Sequence, residues 1–201
     1  MTRNRRARQV FGATQYGLVL LLCAVVGLGA SLALLKAELT QLKDPFSTPT
    51  CDVNSLIGCG TSLLSPQAHL LFGFPNSAVG AIAFGVLILI ALLQLSKLTF
   101  PRWLWLALAA GSLGGLAFIG YFAYQSIAVF AALCPYCMVI WAATIPIAVF
   151  TIARAMALGH LPARSLGANL WTFRWLYTLA LYAIIVLVVV IGMRDQIASV
   201  L

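Results

Sequence analysis

Four stretches of this chain carry no Asp, Glu, Lys or Arg: Val10–Leu35, Val53–Ser96, Trp103–Ala153 and Trp175–Met193. A helix needs about 20 apolar residues to cross the hydrocarbon core of a bilayer. Val10–Leu35 and Trp175–Met193 each fit one crossing. Trp103–Ala153 is too long for one and fits two, joined by a short turn. Val53–Ser96 is mixed. Its first half holds Asn54, Gly58, Gly60, Ser62, Ser65, Pro66, Gln67 and His69 and reads as a loop, whereas about Asn76–Ser96 reads as a crossing. The expectation is an all-α membrane protein with five transmembrane helices, at about 15–35, 76–96, 103–125, 135–157 and 175–193, in one integral membrane domain over 1–201. Composition points the same way. Only 8% of the residues are charged and 63% are hydrophobic, whereas a soluble domain carries about a quarter charged residues. The first apolar run exceeds the core of a signal peptide and is read as a retained helix.

The basic residues orient the bundle. With a cytoplasmic N-terminus, Arg3, Arg5, Arg6, Arg8, Lys97, Arg102, Arg154, Arg164 and Arg174 lie inside, and only Lys36, Lys43 and Arg194 lie outside. That split is what the positive-inside rule asks. The formal charge of +8 is then a topology signal near anionic lipid and calls for no nucleic acid. The 40-residue segment Lys36–Pro75 becomes the one long outer loop, and loops of that length are usually functional. Within it Pro66–Phe72 reads as a short helix, with Ser65 ahead of Pro66 at the first turn. Asn76 and Ser77 read as caps of the second crossing. Gly111, Gly114, Gly115 and Gly120 read as sites of close helix contact in the third. Pro146 reads as a kink in the fourth, and the segment up to Arg174 as an inner loop. No charged residue falls inside any of the five spans, which argues against ion transport.

Cysteine placement carries the chemistry. Cys23 lies mid-helix among Leu and Val and reads as a small core residue. Cys51, Cys59, Cys134 and Cys137 all map to the outer side, where disulfides persist. Cys134-Pro135-Tyr136-Cys137 opens the fourth crossing. Free N–H groups and the dipole at a helix N-terminus stabilise a thiolate, the nucleophilic form. The two cysteines are three residues apart and share a face, with Cys137 nearly one turn deeper, still within reach of the helix terminus. A stepwise redox relay is the preferred reading. Two static disulfides and a four-cysteine zinc site are the alternatives; a metal is not expected. The DsbB type of quinone reductase does the same chemistry, with the order of its two cysteine pairs reversed.

The chain resembles the bacterial branch of the vitamin K epoxide reductase family. The matching residues are Cys51-Asp52-Val53, Cys59, Ser65, Asn76-Ser77 with Gly80, and Cys134-Pro-Tyr-Cys137, over about residues 15–160. The resemblance implies a four-helix bundle around a quinone of the menaquinone, ubiquinone or phylloquinone type, covered by the outer loop. It implies a bacterial inner-membrane enzyme that reoxidises a thioredoxin-fold, DsbA-like partner. Cys51 would meet the partner, Cys59 would pass electrons to Cys134, and Cys137 would face the quinone. Asn76 would hydrogen-bond a quinone oxygen, with Trp141 and Tyr136 as walls. Trp141 stands where relatives typically carry Tyr, and Val79 where animal relatives carry an aromatic; both departures weigh against vitamin K epoxide reduction as the main activity. Asp52 is expected to raise the Cys51 thiol pKa if the two are close. Ser65 reads equally as a cap or a redox residue, and His69 as a surface histidine rather than a proton shuttle.

Overall fold

The computed structural model describes residues 2–44, 49, 51–54, 56–70 and 73–198, with backbone alone for 2–11 and 61. Among them five helices are long and apolar enough to cross a membrane. These are α1 (Thr2–Lys43), α3 (Asn76–Leu95), α4 (Arg102–Gln125), α5 (Pro135–Ala157) and α7 (Arg174–Gly192). Short helices α2 (Gly60–Leu63) and α8 (Arg194–Ala198), a 3-10 turn at Pro66–His69 and a π-helical turn at Ser126–Phe130 complete the set, with α6 at Arg164–Thr172.

Several boundaries differ from the sequence reading, beginning with α1, which starts at Thr2 rather than near residue 15. Helix α1 does not stop at Leu35 but continues to Lys43, so its 42 residues extend about 63 Å. Lys36, Glu38 and Lys43 had marked a loop because charge is costly in lipid. Here they ride a helix that runs past the hydrocarbon core. The segment read as an inner loop contains α6, which lies against α5. Gly167 permits that contact, since a Cβ there would overlap Met156 and Ala157. The expected short helix at Pro66–Phe72 is a 3-10 turn ending at His69; Leu71 and Phe72 lie outside the described residues. Helix α5 continues through Pro146.

Packing centres on α1 and α5. Helix α1 packs along α3 and α5, and α4 packs on α5, while α3 and α4 make no comparable contact with each other. Helix α7 leans on α5 from outside and turns most of its apolar surface outward, as expected where lipid is the solvent. The α1–α3 seam is close because α1 offers glycines. The Phe84 ring fills the space a Gly27 side chain would need, and Leu95 Cδ2 lies 2.8 Å from where a Gly17 Cβ would sit. Between α1 and α5, the buried Tyr16 hydroxyl lies 3.2 Å from Thr151 Oγ1.

The glycines of α4 behave differently from expectation. Only Gly115 is a contact site, with Thr144 Cγ2 3.1 Å from an added Cβ; Gly111, Gly114 and Gly120 have nothing within 4 Å. Gly111 and Gly114 instead form part of a cavity wall between α3 and α4.

If the Phe84 ring is what requires a glycine at position 27, Gly27→Ala should cost about 1–3 kcal/mol by overpacking. Thermal unfolding in detergent would read this, and Phe84→Leu in the same chain should recover part of it. Simply additive losses would show that the two positions do not share that space.

Candidate functional site

All four loop and motif cysteines meet at one end of the bundle. Cys51, Cys59, Leu63 and Cys134 form one buried cluster, against which Leu34, Ala37, Tyr136 and Cys137 pack. Cys51 and Cys59 are joined as a disulfide with Cα atoms 5.8 Å apart, while Cys134 and Cys137 are free thiols.

The loop reaches α5 through its backbone. Ile57 and Leu133 form an isolated parallel bridge: Gly58 N donates to Leu133 O at 3.0 Å, and Leu133 N donates to Leu56 O at 2.8 Å. Leu133 immediately precedes Cys134 and Gly58 immediately precedes Cys59, so this pairing brings the two cysteine pairs together. An Asn54 side-chain oxygen accepts from the N–H groups of Leu56 and Ile57 at 2.9 and 2.7 Å and shapes the turn before the bridge.

Asp52 organises the same corner. Its Oδ1 accepts from Cys59 N at 2.7 Å and Gly60 N at 3.0 Å, which satisfies free donors at the start of α2. Gly58 and Gly60 leave room for it: Cβ atoms there would come within 2.7 and 2.6 Å of its carboxylate oxygens. Asp52 therefore serves chiefly as a brace for the Cys59 turn. Its charge also acts on Cys134, whose pKa it opposes lowering. Ligand atoms of Cys51, Asp52 and Cys59 lie within 4.8 Å of one another, but the two sulfurs are bonded to each other and Asp52 Oδ1 is engaged by backbone.

The dipole end of α5 belongs to Cys134 more than to Cys137. Cys134 is the cap residue, and its Sγ accepts from Cys137 N at 3.4 Å. Donation from the Cys137 side chain, then from backbone N–H groups, holds the Cys134 thiol below its ordinary range, against burial and the Asp52 charge. The sequence reading had assigned the benefit of the helix terminus to Cys137, but a side chain at the cap faces the free N–H groups whereas one on the first turn points away from them.

Behind the cysteines lies a cavity of about 640 Å³. Cys134 and Cys137 line it, together with Asn76, Val79 and Trp141. Tyr136, expected as a wall, is not among its lining residues and packs in the cysteine cluster. Successive helix positions turn by about 100°, so Tyr136 cannot share the face of Cys134 and Cys137. Asn76 and Ser77 do not cap α3, where the cap position is Pro75 and no side-chain cap forms. Asn76 Nδ2 donates to Gln67 O at 2.7 Å, and Ser77 Oγ donates to Glu38 Oε2 at 2.9 Å. Ser65 Oγ donates to Ser62 O at 2.7 Å, a local turn contact.

One site residue escaped the sequence. Glu38 of α1 is 2% exposed, lines the cavity and has its Oε1 3.0 Å from His69 Nε2. It lies on the part of the apolar helix Gly12–Lys43 that continues beyond the span expected at 15–35; the charge inside an expected span is Arg154, in the last turn of α5. The available signal was a helical register continuing from Leu34 to Glu38, four residues on and so on the same face.

Five apolar helices among the described residues, a disulfide beside a helix-capping Cys-x-x-Cys and an adjoining apolar cavity define a multi-pass membrane protein. The model of the vitamin K epoxide reductase family matches residues 18–152, and the chain belongs to that family of membrane oxidoreductases. This match sets aside the DsbB type. No curated protein matches the chain.

A lowered pKa means that the Cys134 thiolate persists to lower pH than a free thiol. In protein lacking Cys23, Cys51 and Cys59, the alkylation rate of Cys134, followed by mass spectrometry, should reach half-maximum below the pH of an ordinary cysteine. Cys137→Ala should move that midpoint up. A midpoint indifferent to Cys137 would remove the assigned donor.

Proposed function

We propose that this chain is a quinone-dependent thiol–disulfide oxidoreductase that reoxidises a thioredoxin-fold, DsbA-like partner and so supports disulfide formation. Its place is a bacterial inner membrane with a cytoplasmic N-terminus and the cysteines outside, the orientation that the basic residues favour. The observation that carries the reading is the position of Cys134 and Cys137, between the buried Cys51–Cys59 disulfide on one side and the apolar cavity on the other.

The cavity suits a quinone of the menaquinone, ubiquinone or phylloquinone type. Its size falls in the range of small-molecule sites, which pair apolar walls with a few polar groups. Val79, Leu87, Ile140 and Trp141 supply apolar wall. Asn76 Oδ1 and Ser31 Oγ are buried without a partner, and both residues face the cavity; an unpaired buried polar atom costs about 1–3 kcal/mol. Asn76 Nδ2 is tied to Gln67 O through one of its two hydrogens, and the other can be offered to a ligand oxygen. Entry is from lipid. Val86 and Phe118 line the cavity from α3 and α4 while 52% and 36% exposed, at the gap where those helices do not meet.

Electrons move by exchange between sulfurs, each step a thiolate attacking a disulfide. A partner thiolate attacks Cys51 and displaces the Cys59 thiolate. Cys59 then attacks Cys134 of a Cys134–Cys137 disulfide, forming Cys59–Cys134 and releasing Cys137. The second partner thiolate attacks the partner's own sulfur in the mixed disulfide, so the partner leaves as a disulfide and Cys51 is released as a thiolate. Cys51 in turn attacks Cys59, which restores Cys51–Cys59 and releases Cys134. The inner pair then carries two electrons as a dithiol. A quinone bound in the cavity supplies a sink for those two electrons and takes up two protons. Asp52 holds the Cys59 turn against α5, and Cys137 steadies the Cys134 thiolate. Cys51 is only 3% exposed and Cys59 not at all, so a protein partner must lift the loop before it reaches Cys51.

Cys51→Ala should abolish oxidation of a protein dithiol. Quinone reduction driven by a small dithiol that reaches Cys134–Cys137 directly should survive in part. Equal losses with large and small donors would sink the ordered relay. Filling the cavity tests its other half: Gly114→Leu should cut quinone reduction about tenfold or more while leaving dithiol reduction of Cys51–Cys59 unchanged, and unimpaired quinone reduction would move the acceptor elsewhere. The tenfold figure corresponds to about 1.4 kcal/mol of lost binding.

A further inference from the structure

Glu38 is a buried acid beside a cavity otherwise lined mainly by apolar groups, with its side chain 3% exposed. An isolated carboxylate in such a place is costly. Its contacts are arranged as a line. Ser77 Oγ donates to Oε2 from α3 at 2.9 Å. His69 Nε2 stands 3.0 Å from Oε1, an ion-pair contact that is not aligned as a hydrogen bond, and the His69 side chain keeps 29% of its surface exposed. The other imidazole nitrogen, Nδ1, lies 3.4 Å from Ser65 O, which orients the ring with Nε2 towards the acid. Thus one end of the pair reaches the surface and the other reaches the cavity. Of the titratable groups, Cys134 and Cys137 on α5 share that cavity, and α3 and α4 turn none into it among the described residues.

We propose that Glu38 and His69 form a proton relay between external water and the cavity, resting on the reading that a quinone is reduced there. Reduction of a quinone by a dithiol moves two electrons and two protons. Sulfur reacts as the thiolate, so protons must reach the buried acceptor by another path. Glu38 gives its proton into the cavity and becomes a carboxylate. His69 passes it a replacement through Nε2, then takes a proton from water. Two such passages match the two electrons that leave Cys134 and Cys137 as a disulfide, and the protons released by the partner's thiols go to water. Ser77 positions the carboxyl group; of the relay pair, Glu38 lines the cavity and His69 does not.

Glu38→Gln keeps an oxygen for Ser77 and removes the transferable proton. In purified full-length protein with a small dithiol and a soluble quinone, this variant should lose about a hundredfold in quinone reduction, the scale of general acid catalysis. Reduction of Cys51–Cys59 by the same dithiol without quinone should stay unchanged, and Glu38→Asp should restore part of the rate. A second measurement needs no quinone. The carboxyl band of Glu38, identified in the infrared by its loss in Glu38→Gln, should exchange rapidly with deuterated water, and His69→Phe should slow that exchange. Full quinone reduction by Glu38→Gln would overturn the relay, as would an equal loss of disulfide exchange in that variant, which would mark a structural role. Exchange indifferent to His69→Phe would overturn the path through His69. A wild-type protein that reduces its disulfide with dithiol but never a quinone would instead overturn the proposed function.

Discussion

Two backbone hydrogen bonds, Gly58 N to Leu133 O and Leu133 N to Leu56 O, hold the loop between α1 and α3 on the start of α5. The rest of the site depends on them. The loop between α1 and α3 has little secondary structure of its own, only a four-residue helix and a 3-10 turn among the described residues. Without this short bridge, Cys51 and Cys59 would have no fixed relation to Cys134. Asp52 and Asn54 are secondary supports that satisfy N–H groups the bridge leaves over. The arrangement is firm enough to bury the disulfide.

Below that corner, the cavity exists because α3 is seated on α1 and α4 on α5, and the α1–α5 pair holds them apart. Helix α1 grips α3 through Gly17 and Gly27, and α5 grips α4 through Gly115. Helix packing in lipid gains little from hydrophobicity and relies on close fit. Small residues on the two gripping seams therefore decide which helices touch. Where α4 presents Gly111 and Gly114 to empty space, the same residue type makes a void instead of a contact.

The polar groups of the cavity gather at its cysteine end: Ser31, Glu38, Asn76 and Ser77. Glu38 can occupy this level because α1 overshoots the hydrocarbon core, so the acid meets His69 and Ser77 rather than lipid. Placed at mid-membrane, the same carboxyl would lack both partners and be strongly disfavoured.

The sequence by itself determined the class of fold. Charge-free runs of helix-spanning length leave no other solution, because backbone polar groups in lipid must be satisfied within each helix. It also singled out the four cysteines that the fold brings together, since Cys-Pro-Tyr-Cys at a predicted helix start and two loop cysteines stand out against so apolar a background. Tertiary structure alone decided what those residues touch. Asn76, Val79 and Trp141 face the cavity while Tyr136 turns away, because helix register fixes direction only once the axis is placed. Asp52 became a brace, Cys134 rather than Cys137 became the helix cap, and Glu38 joined His69 across 31 residues of chain. Hydropathy records the cost of moving each residue into lipid, one at a time. Pairings between distant side chains arise only when helices pack, and no local pattern in the chain encodes them.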